Sequence, residues 1–119
     1  MTARESIISQ LAEGEVYIGS ITNADGAGHH VILLPGDVEK TWTEAMKWAK
    51  EAGGDLPNRV EQALLYANHS DRFKKDWYWS NQKDEDGFAW YQYFLNGSQS
   101  GISQYYRLRA VAVRRLPIQ

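Results

Sequence analysis

Three histidines, fifteen carboxylates, thirteen Lys and Arg and no cysteine are the ionisable material of this 119-residue chain. Without cysteine there is no disulfide, no thiolate metal site, no iron–sulfur cluster and no thiol nucleophile. His29 and His30 are adjacent, so on a strand they face opposite ways and cannot hold one metal together. His69 falls at the end of a helical pattern, where a cation suits the helix dipole. Asp84-Glu85-Asp86-Gly87 offers three carboxylates in a turn, but a calcium loop needs several oxygen ligands at fixed spacing. Solvated turn charge is the plainer reading, and neither metal nor cofactor is expected. No Gly-x-Ser-x-Gly elbow, P-loop or dinucleotide fingerprint is present. Glu44 and Glu61 sit where helix caps want them, so capping accounts for them better than acid–base catalysis. An enzyme is not expected.

Arg107, Arg109, Arg114 and Arg115 interleave with apolar residues near the C-terminus. They read first as partners for the many carboxylates. Protein contact and a single-stranded nucleic-acid surface are the alternatives. A net charge of −2 argues against general affinity for duplex phosphates. Aromatics are the larger signal: fifteen rings, eleven of them between Phe73 and Tyr106. At about 200 Å² per buried ring they carry roughly 3,000 Å². A soluble monomer rarely exposes one apolar patch above about 600 Å². Most rings therefore belong to the core, and only a few can form a binding face. Asn96–Tyr106 (NGSQSGISQYY) is uncharged and rich in Ser, Gln, Gly, Asn and Tyr, the composition of adaptable recognition loops. The bland alternative is an ordinary polar connection. Trp79, Asn81, Trp90, Gln92, Asn96, Gln99, Gln104, Tyr105 and Tyr106 are the candidate binding residues.

The elements that position them follow from periodicity. Residues 1–13, with Ile7, Ile8 and Leu11 at helical spacing, read as a short helix or turn. Met1–Gln10 holds no apolar run, so no signal peptide is expected, and Val31–Leu34 is far too short to insert in a membrane. Glu15–Ile21 and His29–Leu34 read as strands of a hairpin. Thr41 with Glu44 is a capping box ahead of Trp42, Ala45, Met46 and Ala49 on one face, with Gly53-Gly54 as the stop. Asn58 and Glu61 repeat that spacing before Val60, Ala63, Leu64 and Ala67. Leu56-Pro57 between them is extended. Trp77–Asn81 and Phe88–Leu95 are strands around a polar turn, Lys83–Gly87. Asn96-Gly97 signals a two-residue hairpin, and Ser98–Gln104 is a polar stretch leading to a last strand, Tyr105–Arg115. On that strand Leu108, Ala110 and Ala112 share one face, and Arg107, Arg109, Val111 and Val113 the other. Strands, two helices, then strands make an α+β domain spanning 1–119.

Thr41-Trp-Thr-Glu-Ala-Met-Lys-Trp-Ala-Lys followed by Gly53-Gly54-Asp-Leu-Pro-Asn-Arg-Val-Glu-Gln-Ala resembles the helix–G-x-x-LPT-x-x-E–helix segment of C-type-lectin-like domains, including the formylglycine-generating (sulfatase-modifying) enzymes. Trp77-Tyr-Trp-Ser-Asn81, Ala89-Trp-Tyr-Gln-Tyr-Phe-Leu-Asn-Gly97 and Leu108-Arg-Ala-Val-Ala-Val-Arg-Arg-Leu116 are similar to a family of small bacterial and prophage proteins with the pattern WYWS…AWYQxFxNGxQ…LRARAVRRL. Related domains end some bacterial collagen-like adhesins. The resemblance runs from about His29 to Leu116 and implies a C-type-lectin-like fold with two helices, antiparallel strands, and paired N- and C-terminal strands. Two departures limit what else it implies. The formylglycine-generating enzymes use a cysteine pair with copper, which this chain lacks. The Glu-Pro-Asn or Gln-Pro-Asp tripeptide of calcium-dependent sugar-binding lectins is also absent, and Trp79-Ser-Asn81 only faintly echoes their Trp-Asn-Asp. What remains is a non-catalytic binding module of phage or prophage origin for a protein or glycan, made in the cytoplasm and, in a phage, open to virion association. The alternative is a virion or self-assembling component with its aromatic face buried in a homo-oligomer. An inhibitor of a host defence system is a narrower version of the first.

Overall fold

The computed structural model of the chain describes residues 2–118. In chain order the elements are α1 (Ala3–Ile8), β1 (Val16–Thr22), β2 (Gly28–Leu33), β3 (Val38–Lys40), α2 (Trp42–Glu51), α3 (Arg59–His69), one 3₁₀ turn (Ser70–Arg72), β4 (Trp77–Lys83), β5 (Phe88–Tyr93), β6 (Gln99–Ser103), β7 (Leu108–Ala110) and β8 (Val113–Pro117). The architecture is α+β; among the described residues there are three α-helices, the two main ones and the six-residue α1, which lies within residues 1–13 read as a short helix or turn. Among the described residues no helix is long and apolar enough to cross a membrane.

Both main helices start where their sequences say. Thr41 N–H donates to Glu44 Oε1 at the head of α2 (3.1 Å). At α3 the box is reciprocal: Glu61 N–H donates to Asn58 Oδ1 and Asn58 N–H to Glu61 Oε1, each at 2.8 Å.

The strands form two sheets, β1-β2-β8 and β3-β7-β4-β5-β6. The C-terminal strand does not pair with the first strand, as the C-type-lectin-like resemblance implied, but with the second: β8 runs antiparallel to β2, and β1 lies on the other side of β2. β2 takes the middle because Val31, Ile32 and Leu33 are the most apolar run in the chain and are buried there.

The expected last strand is two strands. β7 pairs antiparallel with β3 and meets β4 in parallel at Tyr78↔Arg109; β8 belongs to the other sheet. The alternation read from sequence survives the crossing. Ala110 and Ala112, with half-buried Leu108 against them, join one core cluster with Leu34, Ala45, Ala49, Leu56, Trp79 and Ala89. Val111 and Val113 join the other, with Ile18, Val31, Leu65, Phe73, Tyr78 and Phe94. Both faces are buried because this segment passes between the sheets.

Two further expectations are corrected around β6. Ser98–Gln104 is not a loop; Gln99–Ser103 is a strand in register with β5, from Gln92↔Gln99 to Phe88↔Ser103. Asn96-Gly97 is not a two-residue turn. Tyr93 N–H donates to Ser98 O (2.8 Å) and Gly97 N–H to Tyr93 O (2.7 Å), closing a loop of Phe94–Gly97. Gly97 has φ +80° and among the described residues no non-glycine residue has positive φ, so Asn96 lacks the conformation a type I′ turn requires. The longer loop lets Phe94 enter the core, where it packs on Phe73 and Tyr78.

Candidate functional site

α3 brings a carboxylate into the seam between the sheets. Glu61 is fully buried, and its two oxygens meet four donors: Arg115 Nε and His29 Nε2 on Oε2, each at 2.7 Å, and Arg115 Nη2 (2.7 Å) and Asn58 N–H on Oε1. A carboxylate has about four acceptor positions, so none is left for a substrate. Because it only accepts, His29 Nε2 must carry the proton. Burial pushes the Glu61 carboxyl up, but the Arg115 and Asn58 donors and the Arg115 charge outweigh it and hold it below the usual carboxylate range. Arg115 Nη1 also reaches Asp55 Oδ2 (2.8 Å), which accepts from Asn81 Nδ2 at 2.8 Å. The other C-terminal arginines are likewise paired: Arg107 with Glu44, Arg109 with Asp37 and Asp76, and Arg114 through two 2.9 Å bonds with Glu15. Structural ion pairing describes all four.

A second polar chain runs outward from the same helix. Gln62 Nε2 donates to the carbonyls of Tyr78 and Trp79 (3.0 and 3.1 Å), and Gln92 Nε2 donates to Gln62 O (2.6 Å). Gln99 Nε2 bridges Gln92 Oε1 (3.0 Å) and Arg59 O (2.8 Å) and thereby leaves the core for the sheet edge. Arg59 Nε donates back to Gln99 Oε1 (3.0 Å), and its guanidinium carbon lies 3.6 Å from the Trp90 ring centroid.

The third region is apolar and open. Tyr105 is 81% exposed, Tyr106 59% and Phe88 46%. Phe88 pairs with Ser103, and the turn after β6 is closed by Tyr106 N–H donating to Ser103 O (3.2 Å), so the three rings occupy one end of the five-stranded sheet. Ser103, Tyr105 and Tyr106 line a shallow hollow of about 270 Å³. Gln104 O accepts from the first amide of α2, that of Trp42 (3.1 Å).

The nine residues singled out from sequence therefore do not make one surface. Trp79 is fully buried, its Nε1 donating to Lys40 O (2.9 Å), and Gln92 is buried in the glutamine chain; neither is available to a partner. Asn81 is half-buried on Asp55. Asn96 is exposed, but its Oδ1 closes the turn at Ser98 N–H (3.0 Å). It sits at the opposite end of the β5–β6 hairpin from Gln104, Tyr105 and Tyr106, with the whole of β6 between them, about 13 Å at ~3.3 Å per strand residue. Trp90 and Gln99 are brought together, at the edge. Sequence reasoning missed Arg59, which only tertiary structure places on Trp90, and missed that Trp77 stacks on Tyr91 (4.4 Å, 12°). Near-continuous aromatics from Phe88 to Phe94 carry no alternation that would assign faces.

The polar turn and the other histidines have local partners. Asp84 Oδ1 accepts from the amides of Asp86 (2.9 Å) and Phe88 (3.0 Å). His30 Nδ1 lies 2.9 Å from Tyr17 Oη, and His69 Nε2 lies 3.0 Å from Ile18 O. Among the described residues no three His, Asp or Glu side chains are grouped to hold a metal ion. Compared with family models and with curated proteins, the chain matches none.

Proposed function

We propose that this chain is a non-catalytic binding module with a C-type-lectin-like fold, of phage or prophage origin, that recognises a protein or glycan partner through Phe88, Tyr105 and Tyr106 with Gln104 at their side. The observation that carries the reading is the exposure of two consecutive tyrosines at the same end of the sheet as a third exposed ring, in a chain whose other aromatics are at least half-buried. Tyrosine offers a large contact area with little side-chain entropy to lose and a hydroxyl for orientation, which is why it recurs at recognition surfaces. The hollow at Ser103 gives such a contact some shape. By contrast, the best carboxylate–histidine pair is saturated by Arg115 and has no acceptor position left for substrate.

The test compares the wild type with a Tyr105→Ala/Tyr106→Ala double variant on a glycan array and in quantitative protein capture. A specific partner that the variant loses by at least about tenfold, with its unfolding midpoint unchanged, supports the reading. Equal recovery of every partner by both proteins contradicts it.

A further inference from the structure

β6 is the outermost strand of its sheet, and the bond from Tyr93 N–H to Ser98 O sets which of its main-chain groups are used. In an antiparallel ladder directly opposed residues alternate between exchanging both bonds and none. Ser98, Ser100 and Ile102 therefore turn their N–H and C=O groups toward β5, while Gln99 and Gly101 direct theirs outward. Among the described residues the main chains of Gln99 and Gly101 have no other partner. Natural edges are usually guarded by charge, proline or a bulge. Gln99-Ser-Gly-Ile-Ser103 contains no charge and no proline, and its register with β5 is regular.

A second, independent observation stands at the same place. Arg59 is clamped by Gln99 and stacked on Trp90, yet no carboxylate lies within 4 Å of it among the described residues, and its two terminal nitrogens have no acceptor. The arginines of β7 and β8 all have one. Trp90 lies directly opposite Gly101, on the same face. Gly101 adds no side chain to that face, and a β-carbon there would come no nearer than 3.6 Å to another residue, Phe88.

We propose that the β6 edge receives an extended segment of another protein bearing an acidic residue, which pairs its main chain with Gln99 and Gly101 and sets its carboxylate on Arg59. In antiparallel addition, the residue opposite Gly101 exchanges both main-chain bonds with it and points its side chain to the Trp90 face. There it meets a planar fork of donors held in place before binding, the geometry that suits a carboxylate. A second copy of this chain fits worse. A two-fold pairing centred on Gly101 would bring two Arg59 guanidinium groups to the same face and no acid between them. The inference rests on the reading of the chain as a binding module but uses a different surface, so the two are separable by experiment.

The probe is a random peptide library displayed against the wild-type protein, with the strongest binder then synthesised with a fluorescent label for anisotropy. The expected binder carries Asp or Glu at a fixed position in a β-branched, alternating sequence. Replacing that acid by its amide should weaken binding by about tenfold or more, and Arg59→Gln should reproduce the loss without adding to it. Gly101→Pro removes an outward N–H that β5 does not use, and should weaken binding by a similar factor. Slowed exchange of the Gln99 and Gly101 amides on peptide binding to the wild type tests the same contact without any variant. Tyr105→Ala should leave peptide affinity unchanged. The proposal is overturned if no peptide is enriched, if enriched peptides lack a fixed acid, or if folded Arg59→Gln or Gly101→Pro binds as the wild type does. Binding lost with Tyr105→Ala alone would leave the aromatic surface standing and remove this one. A wild-type dimer that Gly101→Pro converts to monomer would assign the edge to a second copy and overturn it as well.

Discussion

Arg115 and Arg59 lie on either side of the same helix start and do opposite things. Arg115 reaches the buried Glu61 through two 2.7 Å bonds and adds Asp55 at 2.8 Å. Arg59, two residues before Glu61, is held by a ring and an amide but is left without a counter-charge. Burying a carboxylate is affordable only where every acceptor position is filled, and removing one partner leaves an uncompensated charge. A half-buried guanidinium on an aromatic face needs no such partner, because its solvation is only partly lost. The seam is saturated, whereas the β5–β6 side carries the unfilled fork and the exposed rings on which both proposals rest.

The comparison is broken most easily at Trp79 and Tyr105, aromatics that look alike in sequence. Trp79→Ala should cost about 3–5 kcal/mol of stability in chemical unfolding, as large core truncations do. Tyr105→Ala should change it by less than about 0.5 kcal/mol. Equal losses would place Tyr105 in the core. Next in size is Glu61→Ala, which strips Arg115 of its two shortest bonds, leaving it Asp55 and the Leu56 carbonyl, and removes half of the α3 capping box; about 3 kcal/mol is expected from the denaturant midpoint.

Gly97→Val should cost about 1–3 kcal/mol. The reason is a positive φ combined with the Tyr66 ring, which a β-carbon at Gly97 would approach to 2.7 Å. An unchanged midpoint would show that the loop relaxes at no cost.

The smallest effect is the pH profile. The Arg114 bonds to Glu15 hold its carboxyl low, and the Arg115 and Asn58 donors do the same for Glu61 against the upward push of burial. Both folded values lie below the unfolded reference of 4.5. The unfolded chain therefore takes up protons first, and stability present above about pH 5 falls as pH drops through the folded values. Glu61→Gln should start lower and show a shallower fall between pH 5 and pH 3, read from urea midpoints; a parallel profile would exclude Glu61 from the acid loss.

How much of this was legible depends on range. Both capping boxes lie within four residues, and the helices begin at them. The two faces of Leu108–Val113 were also readable, because period two survives even when the strand changes sheets. β6 was not. Gln, Ser and Gly have low strand propensity, and the segment is extended because β5 supplies its ladder. The burial of Trp79 was hidden for a related reason: where both faces of a strand are aromatic, alternation carries no information. Of the candidate site, the Tyr105–Tyr106 end was visible in composition. The clamp on Arg59 joins α3, β5 and β6, and no local pattern encodes it.

Unfolding of Arg115→Gln against Arg59→Gln tests the division between seam and edge most directly. Arg115→Gln should lose about 3 kcal/mol, since it strands Glu61 in the interior. Arg59→Gln should lose no more than about 1–2 kcal/mol, the worth of a half-buried cation–π contact and one side-chain hydrogen bond, and it strands no charge in the interior. Equal losses would mean that Arg59 serves the fold as Arg115 does, and the contrast between a saturated seam and an unfilled edge would be wrong.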